Sequence, residues 1–93
     1  MMNIHVRYFA QLKLAAGTAE ETVALRPAMT LDGLLQRLAE LHGEPLRQLL
    51  FHDNGTRRQS ILVSIGDRQI PLGEKLELRD GERVTLLAPM SGG

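Results

Sequence analysis

Cysteine and tryptophan are absent from this 93-residue chain, and its aromatic residues are only Tyr8, Phe9 and Phe51. Without cysteine there is no disulfide framework, no thiolate zinc site, no cysteine-held iron–sulfur cluster and no cysteine nucleophile. Charge of one sign is also lacking: 11 Lys plus Arg balance 11 Asp plus Glu, for a formal net charge of zero. The electrostatic footprint of a nucleic-acid binder is therefore missing, and no nucleic-acid partner is expected. No apolar run approaches the ~18 residues that span a bilayer, and Met1–His5 lacks the basic and apolar regions of a signal peptide. The expectation is a protein of the cytoplasm with no membrane association. What remains, 43% hydrophobic and 24% charged residues, is globular composition, not disorder. A chain of this size buries roughly 60–65% of its unfolded surface, enough for one thin core.

Residues 3–10 alternate, with Ile4, Val6 and Tyr8 on one side and His5, Arg7 and Phe9 on the other, so they predict a strand. Residues 12–20, with Gly17 and small side chains, are expected to turn the chain. Residues 21–26 alternate again and complete an antiparallel hairpin. Pro27 ends that strand. Thr30 is a suitable N-cap and Asp32 sits in the first turn, where a carboxylate favours the helix N-terminus. Leu31, Leu34, Leu35, Leu38 and Leu41 then recur at helical spacing as one apolar stripe, and Gly43 supplies the stop. Pro45 opens a second short helix over residues 44–51. Asn54-Gly55, Gly66-Asp67 and Asp80-Gly81 mark turns, and residues 61–65, 69–71 and 83–87 read as further strands. The order implies an α+β fold of β-grasp type, with strands segregated around one long helix.

The three histidines, His5, His42 and His52, fall on a strand, a helix end and a loop, with no metal-ligand spacing. No phosphate-binding glycine loop or nucleophile elbow is present. The acidic residues Glu20, Glu21 and Glu74 and the arginines Arg47, Arg57, Arg58 and Arg68 read as ordinary solvated surface.

The C-terminus is more informative. Residues 88–93 carry no charged side chain and end Pro89-Met90-Ser91-Gly92-Gly93. Pro89 lacks a backbone donor and ends strand pairing. Beyond Met90 the side chains shrink to nothing, which leaves a bare carboxylate that fits a narrow channel in another protein. Glycine also tolerates backbone angles closed to residues with a Cβ. Such a carboxylate can attack ATP, become an acyl-adenylate and pass to a sulfur nucleophile.

These residues resemble the sulfur-carrier branch of the ubiquitin-like β-grasp superfamily, and in particular the MoaD-like small subunits of molybdopterin synthase. Tyr8-Phe9-Ala10-Gln11-Leu12 resembles that family's N-terminal strand signature, and Thr30–His42 its leucine-rich helix. Leu78-Arg79-Asp80-Gly81-Glu82-Arg83-Val84 resembles its last hairpin, and Pro89–Gly93 its tail. The chain departs from the pattern at Ala88, where the family has a first proline, at the reversed turn Gly66-Asp67, and at Glu82, where a second Asp is common.

The resemblance implies a mixed four- to five-stranded β-grasp sheet packed on one long helix over residues 1–87, and a flexible tail over 88–93. It implies a carrier, not an autonomous enzyme. An ATP-dependent E1-like partner adenylates Gly93, a sulfur donor converts it to a thiocarboxylate, and an acceptor enzyme takes the sulfur. Molybdopterin synthase large subunit, in molybdenum cofactor biosynthesis, is the acceptor most directly implied. Related roles are tRNA thiolation, cysteine or thiamin biosynthesis, and protein conjugation as a ubiquitin-related modifier. The chain itself binds no cofactor and no metal in this reading; ATP is consumed by the partner. Gly93 carries the chemistry, Gly92 gives clearance, and Pro89, Met90 and Ser91 line the entry to the partner.

Strand parity adds a docking surface. If Ile4, Val6, Tyr8, Ile61, Val63, Ile65, Val84 and Leu86 face the helix, then Phe9, Leu62 and Leu87 face outward and form an apolar patch beside the tail, a common mark of a partner site. A reading from another class is a passive β-grasp interaction module that uses the patch without chemistry at Gly93.

Overall fold

The computed structural model describes residues 1–71 and 73–88. It contains β1 (Met2–Ala10), α1 (Gln11–Ala16), β2 (Glu20–Leu25), α2 (Leu31–His42), α3 (Glu44–Leu50), β3 (Leu62–Ile65), β4 (Arg68–Gln69) and β5 (Arg83–Ala88). The five strands form one mixed sheet in the order β2-β1-β5-β3-β4. β1 and β2 make the expected antiparallel hairpin, β1 pairs β5 in parallel, and β3 runs antiparallel to both β5 and β4. The last strand is therefore central, flanked by the first.

Alternation decides which face each strand buries. Ile4, Val6 and Tyr8 of β1, Val23 and Leu25 of β2, Val63 of β3 and Val84 and Leu86 of β5 are all buried. They share one hydrophobic cluster with Leu31, Leu34, Leu35 and Leu38 of α2 and Leu46 and Leu50 of α3. Among the described residues no charged residue is fully buried, so the helical face of the sheet is sealed mainly by apolar contact. The Thr30 hydroxyl caps α2 by accepting from the Gly33 amide at 3.1 Å. Gly43 joins α2 to α3 at φ 85°, in the region that favours glycine. Its amide donates to the Ala39 carbonyl at 2.9 Å, satisfying one of α2's last acceptors.

Three expectations are corrected. Helix α2 is not the sole helix packed on the sheet: α1 and α3 also contribute buried leucines. The segment expected to turn the chain after β1 contains α1, which buries Leu12 completely and ends at Gly17. Gln-Leu-Lys-Leu-Ala-Ala are all strong helix formers, but six residues are too few to display a period. Leu41 leaves the core and stands 47% exposed. It lies roughly 90° around the helix from the centre of the buried stripe, and the smaller Ala39 takes the opposite margin.

Strand β5 continues through Ala88, one residue into the segment assigned to the tail, and Ala88 pairs with Ala10. Ala10 has φ 56°, an unusual angle for a residue with a Cβ, and turns β1 directly into α1 at this point. The long segment before β5 is held against the start of α2. The Leu31 amide donates to the Leu76 carbonyl and the Leu78 amide to the Met29 carbonyl, both at 2.9 Å. The last turn is tied to β1, because Asp80 Oδ1 accepts from the Asn3 amide at 2.7 Å and the Gly81 amide donates to the Asn3 carbonyl. Glu82, the departure in this turn, accepts from the Arg79 amide at 3.0 Å.

Candidate functional site

The outward-facing residues of the sheet's second face meet in register. Phe9 lies opposite Leu87 across the parallel β1–β5 pair, and Leu87 opposite Leu62 across the antiparallel β5–β3 pair. The three side chains expected from parity thus form one row across three adjacent strands. With Ser64, Gln69 and Thr85 they line an open groove of about 400 Å³. Leu62 and Leu87 are half-buried by their neighbours, and Phe9 is 40% exposed. The Arg7 guanidinium lies over the Phe9 ring, 5.3 Å from its centroid, a cation–π contact that fixes the ring's edge of the groove.

The groove sits where β5 ends. Ala88 is buried, and the next residue begins the segment Pro89-Met90-Ser91-Gly92-Gly93, whose five positions all lie outside the described residues. Gly93, Gly92, Ser91, Met90 and Pro89 therefore have no described geometry, whereas Phe9, Leu62 and Leu87 are brought together at the tail's root.

A polar cluster on the helix-bearing face of the sheet escaped the sequence reading. Tyr8, 2% exposed, donates its hydroxyl to Glu21 Oε2 at 2.5 Å, and His42 Nε2 lies 2.5 Å from the same oxygen. The Tyr8 and His42 rings meet edge-on with centroids 6.0 Å apart. Glu21 is thus not solvated surface but a half-buried acceptor joining β1, β2 and the end of α2. Burial raises the Tyr8 phenol far above its ordinary range, and the Glu21 hydrogen bond and charge push the same way. No local motif announces this cluster, because its members come from three separate elements.

The other titratable groups stay apart. The His5 Nδ1 meets the Thr22 hydroxyl, and His52 Nδ1 lies at 3.5 Å from Arg58. Arg58 donates to the Gln48 carbonyl, while Arg68 pairs with Glu74 at 2.7 Å. Among the described residues no group of three or more His, Asp or Glu side chains is placed to hold a metal ion. No helix among them is long and apolar enough to cross a membrane.

Comparison with known proteins gives a consistent outcome. Small archaeal modifier protein 1 (SAMP1) from Methanosarcina acetivorans superimposes with a TM-score of 0.80 at 29% identity, covering 100% of this chain and 98% of that one. Urm1 from Trypanosoma brucei gives 0.78 at 25% identity, covering 98% and 95%. A chain of the complex of subunits 1 and 2 of molybdopterin-converting factor from Helicobacter pylori 26695 gives 0.57 at 25% identity, covering 99% and 100%. A search of curated protein sequences finds no match. The ThiS family model matches residues 6–93, from the first strand to the terminal glycine. The chain belongs to the ThiS family and is a ubiquitin-like β-grasp protein of the sulfur-carrier and modifier type.

Proposed function

We propose that this protein carries sulfur on the C-terminal carboxyl of Gly93 and delivers it as the small subunit of a molybdopterin-synthase-type complex. The observation that carries the reading is the Phe9–Leu87–Leu62 row at the end of β5, which leads directly into an uncharged segment ending in two glycines. An apolar row beside a threadable tail gives a partner both a place to bind and a group to act on. In this reading an E1-like enzyme docks on the row and draws Pro89–Gly93 into its nucleotide site. A Gly93 carboxylate oxygen attacks the α-phosphorus of ATP and pyrophosphate leaves. A sulfide equivalent then displaces AMP from the acyl carbon and leaves a thiocarboxylate. The acceptor enzyme docks on the same row and receives the sulfur. The carrier contributes positioning and the acyl terminus. It acts in the cytoplasm, binds no cofactor of its own, and leaves ATP to its partner.

Incubation with the cognate adenylating enzyme, ATP and a sulfur donor tests this. Intact-mass spectrometry should show one oxygen replaced by one sulfur, and an unchanged mass sinks the reading. A C-terminal tag should abolish the gain, whereas a passive interaction module tolerates it.

A second reading within the carrier class is supported by the superposition on SAMP1 and Urm1 at TM-scores of 0.80 and 0.78. It has the activated Gly93 pass to lysine amines of other proteins. Isopeptide-linked adducts in cell extract support it; sulfur transfer to a molybdopterin synthase large subunit, without adducts, supports the first.

A further inference from the structure

Among the described residues the groove is one of two depressions on the outward sheet face. Strands rise about 3.3 Å per residue, so two residues back along β1 from Phe9 the face turns polar within about 7 Å. A second trough, of about 500 Å³, opens there, lined by His5, Arg7, Glu20, Glu21, Thr22 and Arg83, with Glu21 already engaged by Tyr8 and His42. In the β1–β5 register His5 lies opposite Arg83 and Arg7 opposite Thr85, so the two arginines are diagonal neighbours on one face. Arg7 sits on the border between apolar and polar halves. It lies over the Phe9 ring on one side and reaches Glu20 at 3.9 Å on the other, with both side chains of that pair more than half exposed. An exposed pair at that separation contributes little and is readily exchanged. Among the described residues Arg83 makes no ion pair.

We propose that Arg7 and Arg83 form a carboxylate-reading element, and that the adenylating partner presents an acidic side chain to it when the apolar row is docked. The inference rests on the carrier reading above and names what the docking face selects. Charge complementarity supports it. The Gly93 end carries a carboxylate and must enter a site built for a polyanionic nucleotide, so the partner is cationic at the tail channel. The arginines lie on the same face, displaced from the tail's root toward the start of β5. A partner uniformly basic over this footprint would repel them; one with a carboxylate opposite Arg7 and Arg83 matches both ends and fixes the orientation in which the tail meets its channel. Arginine suits this role, because its planar fork binds a carboxylate through two parallel hydrogen bonds. Arg7 exchanges Glu20 for the partner's carboxylate without leaving the Phe9 ring.

The test is steady-state thiocarboxylate formation with the adenylating enzyme, varying the carrier: wild type, Arg7→Gln, Arg83→Gln and the double variant, at low and high salt. The double variant is expected to raise the KM for carrier about five- to tenfold at low ionic strength, with kcat unchanged, and to flatten the salt dependence of KM seen for wild type. Arg7→Lys with Arg83→Lys should retain the salt dependence. Matching thermal melts establish that the variants fold alike. A double-variant KM within twofold of wild type at low salt, alongside a Phe9→Ala KM that does rise, overturns the inference and leaves the carrier reading standing. A wild-type chain that gains no sulfur overturns the carrier reading, and this inference with it.

Discussion

Tyr8 should make the protein sensitive to alkali in a way that one absorbance band reports. The chain has one tyrosine and no tryptophan, so its tyrosinate signal belongs to a single group. In the unfolded chain the phenol ionises near pH 10. In the folded protein burial, and secondarily the Glu21 hydrogen bond and charge, hold it protonated well beyond that. A group whose pKa is raised by folding contributes stability that is fully present below the unfolded value and lost as pH climbs past it. The slope is about 1.4 kcal/mol per pH unit above pH 10, so roughly 2–3 kcal/mol disappears by pH 12. That is a large share of the ~5–14 kcal/mol expected for a domain of this length. Chemical denaturation at stepped pH should show the decline, and Tyr8→Phe should flatten it. Glu21→Gln keeps an acceptor but removes the charge, and should bring the phenol's ionisation to lower pH. In a direct titration of wild type, tyrosinate absorbance should rise only together with loss of far-ultraviolet circular dichroism. A smooth titration near pH 10 with the dichroism unchanged would refute the assignment of Tyr8 to a buried, carboxylate-bonded site.

Other expectations are simpler to state. Ala28 occupies the third position of the turn Arg26–Met29 at φ 67°, behind Pro27, where glycine is preferred. Ala28→Gly should therefore stabilise by about 0.5–1 kcal/mol net of glycine's added chain entropy, read as a melting-temperature increase of several degrees. Thr30→Ala removes the cap on Gly33 and should cost about 1 kcal/mol in denaturant unfolding. Deleting Gly93 should abolish sulfur incorporation by mass spectrometry while leaving the melting temperature within a degree or so of wild type.

The elements that announced themselves in the sequence did so through periodicity. Four of the five leucines on α2 pack as their spacing requires, and the inward sets on β1, β2 and β5 follow from alternation. The Phe9–Leu87–Leu62 row was half legible: parity turned each residue outward, but only the β1–β5–β3 register makes them adjacent. The parallel pairing of first and last strands has no local signature, because it is set by how the intervening helices cross the sheet. Helix α1 is hidden by its length, and Leu41 by a stripe that looks uniform until the sheet's limits are known. The Tyr8–Glu21–His42 cluster shows the harder limit. Glu21 was one acidic residue among many, and only the fold brings it between a phenol 13 residues before it and an imidazole 21 residues after it.

The central place of β5 has a mechanical meaning. A partner that draws on the C-terminus loads β5 along its own axis, with hydrogen-bonded strands on both sides. The ladder is then strained in shear, many bonds at once, and is not peeled one bond at a time as an edge strand would be. Force applied at the terminus is shared with β1 and β3 and, through them, with the packed helices. Under the proposed function, the body would serve as a rigid handle for work done at its end.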